Sequence, residues 1–178
     1  MQDIRRFPDD GRLRALGTPD ELDDYTWLVA GCVGEFWTRL CLSDVPKAFD
    51  PGANADRLIE NGIRYGKGLQ LINILRDLPV DLAAGRCYLP ETEIAGLGRS
   101  LVDVRLSPKV LNPLRSKWLI QCEESLAHGL EYVSEIADGK LRYATALPLL
   151  IGVRTAALLR AASWDCLLYT SPSPRDRG

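Results

Sequence analysis

An all-α fold is the class this sequence predicts, and three observations carry the prediction. Apolar residues recur at steps of three and four along most of the chain, and helix-start signals stand where those runs begin. No stretch alternates convincingly as a strand, and no internal repeat is visible. With 178 residues and 46% hydrophobic content, the chain can bury one core of its own.

The elements follow in order. Thr18, Pro19, Asp20 and Glu21 form a capping box with proline at the first helical position. Tyr25, Val29, Cys32, Phe36 and Leu40 then mark the expected buried face of a helix running to about Leu42. Residues 43–51 read as a loop. A second helix is expected from near Asn54, through Leu58, Tyr65, Leu69 and Ile72, to about Leu82. Gly85 and Pro90 mark a loop, and residues 91–105 a short helix with turns. Leu111, Leu114, Trp118, Ile120, Cys122, Leu126, Leu130 and Val133 predict a long helix over about 108–137, stopped by Asp138 and Gly139. A last helix is expected over roughly Thr145 to Trp164. Gly62 and Gly66 read as a packing notch. Gly31 and Gly34 suit close approach of either a neighbouring helix or a ligand chain.

Composition removes several function classes. With 22 basic against 24 acidic residues, neither a nucleic-acid-binding stripe nor a polybasic membrane tail is expected. Five scattered cysteines and a single histidine, His128, argue against a zinc site or a disulfide framework and suit a reducing compartment. The longest apolar run, Ala144 to Leu159, is interrupted by Pro148 and Arg154, so no membrane span is expected. The amino end lacks a basic–apolar–small signal pattern, which gives a cytoplasmic reading. From Cys166 the run CLLYTSPSPRDRG shifts abruptly to Ser, Pro and Arg. It resembles a translated sequencing adapter, so the fold is expected to occupy residues 1–165.

The chemistry is expected on the second helix. Gln70, Asn73, Asp77 and Asp81 project within an arc of about 80°, so one face carries two amides and two carboxylates. Carboxylates one turn apart suit a hard cation such as Mg²⁺, which keeps waters and bridges to phosphate oxygens. Arg76, Arg86 and Tyr88 stand close by as donors for a polyanion. A plain solvated face would carry the same pattern. Against that, Leu69, Leu71, Ile72, Ile74, Leu75 and Leu78 surround it, and carboxylates amid so much apolar surface are costly to bury unless neutralised. Pro79 is expected near the last turn.

Two segments carry a resemblance. GLQLINILRDLPVDLAAGRCYLP, residues 68–90, resembles the second aspartate-rich signature of the squalene/phytoene synthase family. YTWLVAGCVG, residues 25–34, resembles that family's upstream YxxxVAGxVG signature. The resemblance implies an isoprenoid-synthase helical bundle and head-to-head condensation of two prenyl diphosphates, farnesyl or geranylgeranyl, through a cyclopropyl diphosphate. It implies Mg²⁺ as cofactor, NADPH where the product is squalene, and a lipophilic product that brings the protein to a membrane surface. Matched residue by residue, Asp77 and Asp81 correspond to metal-binding aspartates and Asn73 to an assisting ligand. Gln70, Arg76, Arg86 and Tyr88 match diphosphate-side positions. Tyr25 matches the tyrosine of proton and cation control, and Val29 lines the prenyl cavity.

The chain also departs from the pattern. The family's first aspartate-rich motif, expected well upstream of YxxxVAG, is missing, and Val80 replaces an acidic residue often seen between the two aspartates. Asp20 and Asp24 read as helix-start acids rather than ligands. Met1, Gln2, Asp3 and Ile4 resemble the interior of the family's GMxxD segment. The expectation is a fragment of an enzyme, itself inactive and poorly folded. The alternative is a non-catalytic relative with a binding or assembly role.

Overall fold

The computed structural model describes residue 7 and residues 10–164; the expected adapter run at 166–178 lies outside the described residues. One helix organises the rest. The Asn54 side chain accepts from the Arg57 amide at 3.0 Å and starts α3, which runs 29 residues from Ala55 to Ala83. Around it pack α1 (Pro19–Thr26), α2 (Cys32–Asp44), α6 (Asn112–Ser134) and α7 (Gly139–Ala161), with α6 the most extensive neighbour. Short helices α4 (Glu91–Gly96) and α5 (Leu101–Leu106) link α3 to α6. Leu58, Tyr65 and Ile72 of α3 are buried, as its periodicity predicts, with Ile74, Leu75 and Leu78, while Leu69 is only half-buried.

Four features differ from the sequence reading. The first is the buried face of the opening helix. Between α1 and α2, residues Trp27–Gly31 form a π-turn, closed where the Cys32 amide donates to the Trp27 carbonyl five residues back. One extra residue in the turn rotates everything beyond it. The buried stripe therefore passes through Leu22, Tyr25, Thr26, Gly31, Thr38 and Cys41, while Val29, Phe36 and Leu40 face outward, Phe36 at 65% exposure. Cys32 is only half-buried.

The second is a pair of strands where loops were expected. β1 (Arg14–Leu16) and β2 (Arg86–Pro90) pair in parallel, with Arg14 opposite Arg86 and a register irregularity between Ala15 and Leu16. Gly85 makes the junction: its φ of +80° ends α3, and a Cβ there would lie 2.9 Å from the Arg12 carbonyl oxygen.

The third is the long helix, which ends at Ser134. Asp138 does not stop it but caps the next helix, its side chain accepting from the Leu141 amide at 2.8 Å. Ile120 and Leu130, expected inside, are exposed. Fourth, α7 runs unbroken from Gly139 through Pro148 and Arg154 to Ala161. It is long and apolar enough to cross a bilayer by length and composition. A core helix passes the same test, and Thr145, Leu149, Gly152, Ala156 and Leu159 of α7 are buried against the bundle.

The glycines act as a packing notch. A Cβ on Gly34 would sit 2.0 Å from the Gly62 carbonyl oxygen, and one on Gly66 would sit 2.3 Å from that of Ala30. α2 and the π-turn thus cross α3 backbone to backbone. Below this crossing the Thr38 and Tyr132 hydroxyls share a 3.1 Å hydrogen bond, and the Tyr65 hydroxyl donates to the Thr145 carbonyl at 2.9 Å.

Candidate functional site

Close approach of α2 to α3 leaves a groove beside the crossing, with α7 as its other wall. Its volume is about 430 Å³, and its lining is almost wholly apolar. Val29, Val33 and Trp37 form one side, Tyr65 and Leu69 the floor, and Thr145 and Pro148 the far side. Of the outward-turned apolar residues of the opening helices, Val29, Val33 and Trp37 are therefore groove lining rather than core, while Phe36 and Leu40 are exposed outside it. A contiguous exposed apolar surface of this kind marks a place where something binds.

The groove runs out where the polar face of α3 begins. At about 100° per residue, Asn73 falls within the arc of the groove-lining Gly62, Tyr65, Gly66 and Leu69. Asp77 lies about 20° past the edge of that arc and about 12 Å further along the axis than Leu69. Gln70 and Asp81 stand further round. The Gln70 and Asn73 amides lie 3.5 Å apart, Nδ2 to Oε1. Gln70, Asn73, Asp77 and Asp81 are all half-buried; the Asp81 side chain retains 14% of its exposure and that of Asp77 36%. The Asp81 carboxylate is the more enclosed, and that of Asp77 is partly open to solvent.

Both carboxylates are held by guanidinium groups. Arg76 donates through Nε and Nη2 to the two oxygens of Asp77, each at 2.8 Å, and this pairing holds its guanidinium above the usual value. Arg86 donates to Asp81 Oδ1 from Nε at 3.1 Å and from Nη2 at 2.7 Å. Arg86 reaches Asp81 because β2 carries it there. Alternation along the strand points Arg86 and Tyr88 to one side and Cys87 to the other. Tyr88 packs on Tyr25 with ring centroids 4.9 Å apart and takes the Phe7 ring edge-on at 5.1 Å. Cys87 is fully buried and burial pushes its thiol up to about 12, so it serves packing and not nucleophilic chemistry.

The site residues read from sequence thus fall into two connected groups. Gln70, Asn73, Arg76 and Asp77 lie along α3, and Asp81 joins them to the Arg86–Tyr88–Tyr25 group through β2. Val29 stands apart as groove wall. Asp20 and Asp24 lie on the surface of the first helical turns. The Thr18 hydroxyl there accepts from the Glu21 amide at 3.3 Å, while the Glu21 carboxylate takes the Gly17 amide at 2.9 Å. His128 lies elsewhere, bridging Arg64 and Asn61 between α3 and α6. The periodicity missed Val33, Trp37, Tyr132 and Thr145 as groove residues; only the glycine notch hinted at a gap beside α3.

Among the described residues no group of three or more acidic, histidine or cysteine side chains could enclose a metal ion. Two carboxylates with a neighbouring amide would suit a hard cation that takes its remaining ligands from water and phosphate oxygens.

Known proteins share this fold and sequence. The chain resembles a squalene synthase from Alicyclobacillus acidocaldarius in fold, with a TM-score of 0.67 at 23% identity over 85% of this chain and 54% of that one. A dehydrosqualene synthase solved with a ligand gives a TM-score of 0.65. Among curated sequences, it is 32% identical over 123 residues to phytoene synthase 2 of Solanum lycopersicum, covering 67% of this chain and 36% of the relative. It is 38% identical over 76 residues to the bifunctional protein CrtB/UppS of Streptomyces coelicolor, covering 43% and 12%. The chain spans about half the length of the solved structures it matches, and less of those two relatives. The family model described as squalene/phytoene synthase matches residues 2–177. A helical bundle with an apolar groove opening onto paired aspartates and arginines, matched over almost its whole length, makes this chain a member of the squalene/phytoene synthase family.

Proposed function

We propose that a full-length polypeptide carrying this sequence condenses two prenyl diphosphates, farnesyl or geranylgeranyl, head to head through a cyclopropyl diphosphate to a squalene- or phytoene-type product. One observation carries the reading: along α3 an apolar groove gives way after about two turns to Asp77 with Arg76, and about a turn later to Asp81, which Arg86 of β2 holds. A prenyl diphosphate has the same two-part character. Its hydrocarbon would lie along Val29, Trp37, Tyr65 and Leu69, and its diphosphate beside Asp77 and Asp81.

Asp77 and Asp81, with Asn73 assisting, would hold Mg²⁺. When bound, the ion supplies charge neutralisation to the departing diphosphate. Arg76 and Arg86 donate hydrogen bonds to the diphosphate oxygens, and Gln70 orients the group at the mouth of the groove. Tyr25 and Tyr88 stack beside this end. Their rings would stabilise a developing allylic cation, and Tyr25 would serve proton handling and cation control. The groove walls exclude water, which would otherwise quench the cation. The lipophilic product leaves toward a membrane surface, for which the exposed Leu150, Ile151 and Leu158 of α7 supply apolar contact. A non-catalytic assembly role would leave the paired acids and arginines without a purpose.

The test is product analysis. A full-length polypeptide given Mg²⁺ and farnesyl or geranylgeranyl diphosphate is expected to release diphosphate and form a hydrocarbon of twice the substrate's chain length. Running it with and without NADPH separates the reductive product from the non-reductive one. The 178-residue chain alone is expected to give none. Only the prenyl alcohol from the full-length polypeptide, or coupled product from the short chain, would contradict the reading.

A further inference from the structure

The inner end of the groove is closed by one side chain of α3. Gly62 and Gly66 bring no side chain to the groove, so Tyr65 and Leu69 fill its base from that helix. Leu69 lies toward the mouth and Tyr65 about a turn deeper. Beyond Tyr65 the walls meet. A Cβ on Gly62 would sit 2.4 Å from Thr38 Oγ1, and Thr38 is buried against Tyr132 with their hydroxyls 3.1 Å apart. Tyr65 itself is held from three helices. Its ring lies on α6 at Gly129, where a Cβ would come within 2.7 Å of ring atom Cδ2. Its hydroxyl reaches α7 and donates to the Thr145 carbonyl at 2.9 Å. That carbonyl stands beside the break in α7 at Pro148, which has no amide to give to Ala144. With its hydroxyl engaged there and only 7% of its surface exposed, Tyr65 offers the groove a ring fixed in place.

We propose, building on the reading of the groove as the seat of a prenyl chain, that Tyr65 is a specificity-determining residue: its ring stops the chain at the length of farnesyl and excludes geranylgeranyl. Distance carries the argument. Tyr65 lies about 18 Å along the axis of α3 from Asp77. At ordinary carbon–carbon bond lengths an extended prenyl chain gains about 5 Å per isoprene unit, which gives about 15 Å for farnesyl and about 20 Å for geranylgeranyl. The diphosphate occupies the few ångströms next to Asp77. The farnesyl tail then ends against the ring, and a further isoprene unit has no room inside. It must either displace a ring packed among three helices or stay in water outside the groove. The first overpacks the junction, and the second gains nothing from burial.

Titration of the 178-residue chain with geraniol, farnesol and geranylgeraniol tests this, followed by the fluorescence of Trp37 in the groove wall. These alcohols carry no diphosphate, so the acidic face plays no part in the result. W37F identifies the groove signal, and circular dichroism checks helix content in Y65L and Y65F. In the native chain affinity is expected to rise about tenfold or more from geraniol to farnesol and no further with geranylgeraniol. Y65L opens the inner end and is expected to bind geranylgeraniol about tenfold more tightly than farnesol. Y65F keeps the ring and should match the native order. Where Y65L loses helix content, Y65M takes its place, since methionine is flexible enough to refill the junction. A native chain whose affinity keeps rising to geranylgeraniol overturns the inference and leaves the groove standing as a hydrocarbon site. A folded Y65L or Y65M with the native order, or a Y65F that behaves like Y65L, overturns it too. A helical native chain that binds none of the three alcohols overturns the prenyl reading of the groove, and this inference with it.

Discussion

Replacing Asp77 with alanine in a full-length polypeptide carrying this sequence is expected to lower Mg²⁺-dependent release of diphosphate by about 10³-fold, with Asp81→Ala close behind. The expectation follows from what each carboxylate has in reach. Asp77 is the acid nearest the groove mouth, and no third acidic side chain clusters with the pair among the described residues. Losing one of the two carboxylates would leave a single carboxylate and an amide, too few ligands to hold Mg²⁺ against water. Stability should hardly change, because the Arg76–Asp77 pair is partly exposed and worth about 1 kcal/mol or less. Unfolding in urea alongside steady-state turnover separates the two effects. An Asp77→Ala protein that turns over normally would remove the chemical role assigned to α3.

The second large effect concerns folding alone. Gly34→Ala and Gly66→Ala are each expected to cost at least about 3 kcal/mol. The added methyl would meet a carbonyl oxygen at 2.0 Å in one case and 2.3 Å in the other. Both obstacles are backbone atoms, so α2 and the π-turn would have to draw away from α3. The groove depends on that separation, since Val29, Val33, Tyr65 and Leu69 line it from the two sides. Gly139→Ala is the control: nothing lies within 4 Å of its Cβ position, and the change should stay within about 0.5 kcal/mol. Equal midpoints for all three variants in urea unfolding would contradict the backbone crossing.

Much of this was legible in the sequence because helices announce themselves locally. Asn54 and Thr18 are capping residues in sequence and in structure, and of the residues its spacing assigns inward α3 buries Leu58, Tyr65 and Ile72 and turns Leu69 to the groove. What was not legible depended on contacts distant in the chain. β1 and β2 are short and lie some 70 residues apart, so each is defined by the other rather than by alternation of its own. The π-turn defeated the periodicity from Tyr25 to Leu40 for a related reason. A step of five in place of four moves the glycines inward and the large apolar residues outward, where Val29, Val33 and Trp37 serve as groove lining instead of core. The paired acids were legible as a face, since spacing along one helix is enough. Their arginine partners were legible only as neighbours in sequence. That Arg86 grips Asp81 depends on β2 turning back alongside α3.

Metal-bound diphosphate is expected on the acidic face of α3, at the mouth of the apolar groove. Paramagnetic Mn²⁺ added with inorganic diphosphate to the isotope-labelled 178-residue chain tests it directly. Resonances of Asn73, Asp77, Asp81 and Arg86 are expected to broaden first, with Tyr25 and Tyr88 next and the α6 residues around His128 unaffected. Broadening centred on Asp20 and Asp24, or spread evenly over the surface carboxylates, would contradict it.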